Sequence, residues 1–114
     1  MLGRGDAVVN TGGEKVYPAE VEAVLLQHPA VVDCVVFGLP DPRWGEVVAA
    51  AVALRDGASV TGDALQAHVG ARLAGYKKPR HVSIGPIERS PTGKVRLQAL
   101  RDRAEAERSG ALTP

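Results

Sequence analysis

Val31-Val32-Asp33-Cys34-Val35-Val36-Phe37 and Glu46-Val47-Val48-Ala49-Ala50-Ala51-Val52-Ala53-Leu54 are the two apolar runs on which the fold turns. The first is rich in β-branched residues and is closed by Gly38 and Pro40, so it reads as a strand. The alanines of the second would allow a helix, but its short length and its three valines favour a buried strand. Asp41-Pro42-Arg43-Trp44-Gly45 is a turn carrying the only tryptophan. Two strands joined by a loop of about eight residues most simply pair antiparallel.

Upstream, Pro18 stands where a first helical residue should be, with Glu20 and Glu22 near the positive helix end. Val21, Val24 and Leu25 recur at helical spacing until Pro29 stops the pattern. The two glutamates read as part of a solvated face. Earlier still, Val8-Val9-Asn10 and Val16-Tyr17 flank Gly12-Gly13, which predicts a hairpin.

Downstream, Arg55-Asp56-Gly57 turns the chain, and Thr61 can cap a helix over 63–74 with Leu65, His68, Val69 and Leu73 on one face and Gly75 beyond its end. His68 reads as a core-edge histidine, since no partner lies at metal-ligand spacing. His81 to Ile84 is a third strand, stopped by Gly85-Pro86. A last helix begins near Arg96, with Leu97, Leu100 and Ala104 on its apolar side. The expected fold is α+β: a small sheet, mainly of three strands, covered by helices and preceded by a short N-terminal β-hairpin. Residues 1–108 form one domain in this reading, and 109–114 a flexible tail.

Composition narrows the function. The chain has 114 residues, 45% of them hydrophobic and 24% charged, which suits one modest core. A formal net charge of +1 gives no case for nucleic acid or an acidic membrane surface. No apolar run is long enough to span a bilayer. Cys34 is the only cysteine, which excludes an internal disulfide, and its position inside a valine-rich run reads as a small core hydrophobe. A soluble, cytoplasmic protein is the expectation.

Three stretches carry chemistry. Ser90-Pro91-Thr92-Gly93-Lys94 is an ordered turn, because Pro91 fixes φ and Gly93 opens a conformation closed to other residues. It presents Lys94 as a point charge with three donors, suited to an anionic group or simply to solvent. Gly12-Gly13 serves hairpin geometry and would also let a ligand approach the backbone closely. Tyr76-Lys77-Lys78-Pro79-Arg80 is the densest basic cluster, either ordinary surface charge or a phosphate-contacting patch.

Five motifs stand in one order: Gly3-Arg4-x-Asp6; Thr11-Gly12-Gly13-Glu14-x-Val16-Tyr17-Pro18-x-Glu20-Val21-Glu22; Asp41-x-x-Trp44-Gly45-Glu46; Tyr76-Lys77-x-Pro79; and Pro91-Thr92-Gly93-Lys94. Together they resemble the C-terminal domain of the adenylate-forming superfamily, and the wording around Gly12 is most similar to fatty-acid and related acyl-CoA synthetases. The resemblance implies a two-step ligase. A carboxylate attacks the α-phosphate of Mg-ATP to give an acyl-adenylate and pyrophosphate. The thiol of coenzyme A then displaces AMP. Between the steps the small domain swings about a hinge and presents a different face to a large N-terminal domain.

Carried over position by position, the resemblance makes Lys94 the adenylation lysine, Asp6 the hinge and Arg4 a contact to the nucleotide ribose. Gly12, Gly13, Glu14 and Lys15 become the loop lining the pantetheine channel in the second step. The basic cluster Lys77, Lys78 and Arg80 is a candidate for coenzyme A phosphates on its charge, and not by a position the resemblance assigns. The chain departs from many relatives at Ala7, where they carry a second acidic residue after the hinge. ATP, Mg2+ and coenzyme A are the implied cofactors of the full enzyme, with none bound by this domain alone and no metal site within it. The implied partners are the N-terminal domain and a carboxylic acid, fatty in the first instance. A phosphate loop and an acid tunnel are absent from the sequence, so the chain is expected to be part of a longer enzyme and inactive by itself. The alternative is a free-standing binding module that docks on a separate adenylating subunit or an acyl carrier protein.

Overall fold

A computed structural model of the chain describes residues 8–108. The sequence order of elements holds: β1 (Val9–Thr11), β2 (Glu14–Val16), α1 (Pro18–Leu26), β3 (Val31–Asp41), β4 (Gly45–Leu54), α2 (Gly62–Gly70), β5 (His81–Ile84) and α3 (Leu97–Arg108). The N-terminal hairpin is not a separate appendage. Thr11 pairs with Gly45, so β1 and β2 extend the three expected strands into a five-stranded mixed sheet. β3 and β4 pair antiparallel from Val31↔Leu54 to Asp41↔Gly45, whereas β5 runs parallel to β4.

β4 therefore sits in the middle, and its side chains alternate between two buried faces. Val48, Ala50 and Val52 join Cys34 and Val36 beneath α1 and α2, packed with Val21, Leu25, Leu65 and Val69. Val47, Ala49 and Ala51 join Val35, Phe37 and Leu39 against Leu100 and Ala104 of α3. A strand buried on both sides needs no polar alternation, which is why its sequence reads as one apolar run. Truncating a fully buried residue such as Leu25 should cost roughly 2–5 kcal/mol.

Two boundaries differ from the sequence reading. β3 continues through Gly38 and Pro40 to Asp41, so the predicted loop of about eight residues shrinks to the turn Pro42-Arg43-Trp44. Pro40 is tolerated because β3 is an edge strand. The outward N–H of Val36 bonds Glu22, and residues two and four further on face the same open side, where proline's missing donor breaks no ladder bond. Gly38 leaves a notch occupied by Glu46, whose Oε2 lies 2.8 Å from where a β-carbon on Gly38 would stand. α2 ends at Gly70, not at residue 74. Its start is as expected, with Thr61 Oγ1 accepting from the Ala64 N–H at 3.1 Å.

Glu20 and Glu22 are not a solvated face. The Glu20 carboxylate pairs with Lys77 at 2.9 Å, and Glu22 Oε2 accepts from the Val36 N–H at 2.8 Å. His68 behaves as a core-edge histidine, its Nε2 lying 2.8 Å from the Val24 carbonyl oxygen.

Candidate functional site

The Gly12-Gly13 loop is built against the tryptophan of the β3–β4 turn. Both glycines have positive φ, 60° and 90°, as a two-residue turn between twisted strands requires. The Gly12 N–H donates to the Trp44 carbonyl at 2.8 Å. A β-carbon on Gly12 would lie 2.7 Å from Trp44 Cε3, so only glycine lets the loop close on the indole. Glu46 sutures the same corner by accepting from the Asn10 N–H at 2.9 Å. Thr11-Gly12-Gly13 and Trp44-Gly45-Glu46, distant in sequence, are thus one structural unit.

Asp41 shapes the turn that delivers Trp44. Its Oδ1 accepts from the backbone N–H of Arg43 (2.8 Å) and of Trp44 (3.0 Å), and these two bonds hold its pKa below the usual carboxylate value. Arg108, at the end of α3, holds Oδ2 at 3.1 Å. The guanidinium groups of Arg43 and Arg80 lie 5.1 and 5.2 Å from the indole, within cation–π range.

The basic cluster divides. Lys77 is engaged by Glu20, whose hydrogen bond raises the lysine pKa. Lys78 and Arg80 are exposed, and with Gln66, Gly75 and Pro79 they line an open cleft of about 400 Å3. Gln66 braces its wall by donating to the Pro79 carbonyl at 2.9 Å. Two cations at the rim of an open cleft beside the glycine loop could hold a phosphate; Lys77 is already neutralised. Glu14 and Lys15 are exposed on β2 next to the loop.

The Lys94 turn lies elsewhere. Ser90 organises it: its N–H donates to the Lys94 carbonyl (2.8 Å), its carbonyl accepts from the Gly93 N–H (2.8 Å), and its Oγ accepts from the Lys94 N–H (3.2 Å). Gly93 takes a φ of 87°, the conformation its position in the sequence demanded. Lys94 is exposed, and its ammonium makes no ion pair among the described residues. Arg89 anchors the turn to Asp33 of β3, a contact with no signal in the motif pattern. Asp33 pairs with Ala53 near the end of β4, while the glycine loop meets β4 at Gly45. At ~3.4 Å per residue, the eight steps between these anchor points span about 27 Å. The structure therefore brings the glycine loop, Trp44 and Arg80 together at one end of the sheet, and anchors the turn that carries Lys94 near the other. Asp6 and Arg4, the expected hinge and ribose contact, lie outside the described residues. Among the described residues no group of three or more His, Cys, Asp or Glu could hold a metal ion, and no helix is long and apolar enough to cross a membrane.

Residues 20–94 match the family described as the AMP-binding enzyme C-terminal domain. The chain belongs to that family. Its sequence is 54% identical over 103 residues to a 3-oxocholest-4-en-26-oate–CoA ligase of Rhodococcus rhodochrous, covering 90% of this chain and 19% of that protein. Among solved structures, a fatty acyl-CoA synthetase of Mycobacterium tuberculosis superposes with a TM-score of 0.78 at 40% identity, covering 89% of this chain and 20% of its own. The amide bond synthetase McbA of Marinactinospora thermotolerans also superposes, with a TM-score of 0.78 at 36% identity, over 84% of this chain and 20% of its own. The chain spans about a fifth of the length of the relatives it matches.

Proposed function

We propose that this domain is the mobile lid of an acyl-CoA synthetase and serves both half-reactions from opposite ends of its sheet. The observation that carries this reading is the separation of about 27 Å between the anchor of the Lys94 turn and that of the Gly12 loop along β4. Anchors so far apart on one rigid body favour a different orientation of the domain for each group, so each acts in its own orientation.

In the first orientation Lys94 enters the adenylation site. The acid's carboxylate oxygen forms a bond to the α-phosphorus of ATP as the bond to the bridging oxygen breaks, and pyrophosphate leaves with the negative charge. An ammonium between carboxylate and triphosphate stabilises that transition state more than the ground state. Mg2+ enters with the ATP. In the second orientation the Gly12-Gly13 loop, shaped on Trp44, forms a wall along which a pantetheine arm can pass without meeting a side chain. Lys78 and Arg80 then lie beside that path for the nucleotide phosphates of coenzyme A. The thiol gives up its proton to solvent, its sulfur bonds to the acyl carbon, and the bond from that carbon to the AMP oxygen breaks as AMP departs. Asp6 acts as the hinge, where a few backbone torsions absorb the rotation, and Arg4 meets the ribose. Similarity to the steroid-acid and fatty-acid ligases supports an apolar carboxylic acid as substrate.

The test is a pair of half-reaction assays on the full-length protein with fatty and sterol-derived acids: pyrophosphate release with ATP, and thioester formation from supplied acyl-adenylate and coenzyme A. Activity in both, lost when this domain is deleted, is the expected result. Because an amide bond synthetase shares the fold, an amine acceptor is assayed in parallel. Amide formation without thioester formation would replace coenzyme A with an amine in this reading. Activity in neither assay would favour a module that docks on a separate adenylating subunit or acyl carrier protein.

A further inference from the structure

Between β5 and α3 the chain runs from Gly85 to Arg96 without a helix or strand, holding only an isolated bridge between Arg89 and Val95. A stretch of that length within a small domain keeps one conformation only if side chains tie it down. At its start Arg103 donates to the Pro86 carbonyl at 2.7 Å and to Ser83 Oγ at 2.8 Å. Ile87 and Val95 rest against the sheet face that carries α3. Arg89 joins the turn itself to a strand, and it uses three nitrogens to do so. Nε donates to Asp33 Oδ2 at 2.8 Å, Nη2 to Asp33 Oδ1 at 2.9 Å, and Nη1 to the Gly93 carbonyl at 2.8 Å. Asp33 is fixed in turn, since its Oδ1 also accepts from the Cys34 N–H at 2.9 Å.

We propose that Asp33 and Arg89 are a positioning pair for Lys94, setting where its ammonium stands during adenylation. The guanidinium is planar, so one edge gripping a carboxylate on β3 dictates where the other edge holds the Gly93 carbonyl. That carbonyl opens the peptide leading into Lys94. The orientation of the lysine's backbone is therefore referred to β3, although the turn is exposed and built from small residues. A lysine in place of Arg89 keeps the charge but has no fork to bridge two acceptors. Neither residue touches substrate in this scheme; both act through Lys94, and the inference rests on the adenylation role given to that lysine above.

The test uses the full-length enzyme and measures the two half-reactions separately, with thermal unfolding alongside. Lys94→Ala comes first: if it leaves adenylation intact, the role of Lys94 fails and the positioning pair falls with it. With that role standing, Arg89→Lys and Asp33→Asn should each slow adenylation by about 10²-fold, the cost of misplacing a reacting group by around 1 Å. Thioester formation from supplied acyl-adenylate should stay within about twofold of the parent. The double variant should be no slower than the worse single one, because the two residues act as one device. Unchanged adenylation in Arg89→Lys, multiplicative losses in the double variant, or a parallel fall of both half-reactions with melting temperature would each overturn the proposal.

Discussion

The two ends of β4 hold their functional groups by different means. At Gly45 the glycine loop is moulded by packing: an indole fills the space a side chain would need, and Glu46 ties the adjoining strands. Near Ala53 the Lys94 turn is held mainly by polar bonds, through Ser90 and the Arg89–Asp33 fork, with Ile87 and Val95 packed on either side of it, and its ammonium stands free among the described residues. In the proposed scheme the glycine loop is a wall for a long, flexible substrate arm, which needs a fixed shape and little chemistry. The lysine of that scheme enters a crowded anionic site and needs reach, with only its root fixed. Packing suits the first task and a hydrogen-bonded turn the second.

The largest effect should come from removing the amine. Lys94→Ala in the full-length enzyme should slow acyl-adenylate formation by about 10³-fold, the upper range for one electrostatic group. Thioester formation from supplied acyl-adenylate should be spared, and equal loss of both steps would erase the contrast between the two ends. Next, Gly12→Ala should slow the thioester step by about 10²-fold through a displaced loop. It should also destabilise the domain by roughly 1–3 kcal/mol, since a positive φ and the Trp44 contact both oppose the new methyl. Gly13→Ala is the control: its φ is also positive but its surroundings are open, so strain without collision predicts a smaller loss. If the two variants behave alike in the thioester assay, the indole is not what shapes the loop.

Arg80→Ala should raise the KM for coenzyme A by about tenfold, the worth of one charge-assisted bond, with the adenylation rate unchanged. Lys77→Ala should do less, because Glu20 already occupies that lysine. The smallest effect concerns acid. Asp41 has a folded pKa below its usual value, so its contribution to stability is complete above the unfolded value of 3.8 and disappears as pH falls through the lower folded value. Asp41→Asn should flatten that part of the acid-unfolding curve, and an identical acid limb in parent and variant would remove Asp41 from the account.

Much of this was legible because local rules agree with the fold. Pro18 and Thr61 start helices as their chemistry requires, Gly93 sits at positive φ in a turn, and β4 reads as a strand because both its faces are buried. Most of the misreadings share a cause, a dependence on contacts remote in sequence; the early end of α2 at Gly70 does not. Gly38 and Pro40 look like a strand end, yet Glu46 fills the notch at the first and the open sheet edge tolerates the second. Glu20 and Glu22 look solvated until Lys77 and the Val36 N–H arrive from later in the chain. The motif pattern pointed to Gly12 and to Trp44 separately, but only their contact explains why the first must be glycine. Arg89 gave no signal, since an arginine five residues before a lysine reads as another surface charge.

The free margin of β3 has a consequence for the molecule in solution. In the proposed scheme the lid leaves one docking face before reaching the next and passes through water with its sheet edge uncovered, and a bare edge is a template for joining another chain. Here Asp33 and Glu22 occupy the outward N–H groups of Cys34 and Val36, and Pro40 offers none. The margin that would recruit a neighbour has few donors left to offer. If the domain swings as proposed, repeated passage through solvent at high protein concentration need not seed aggregates.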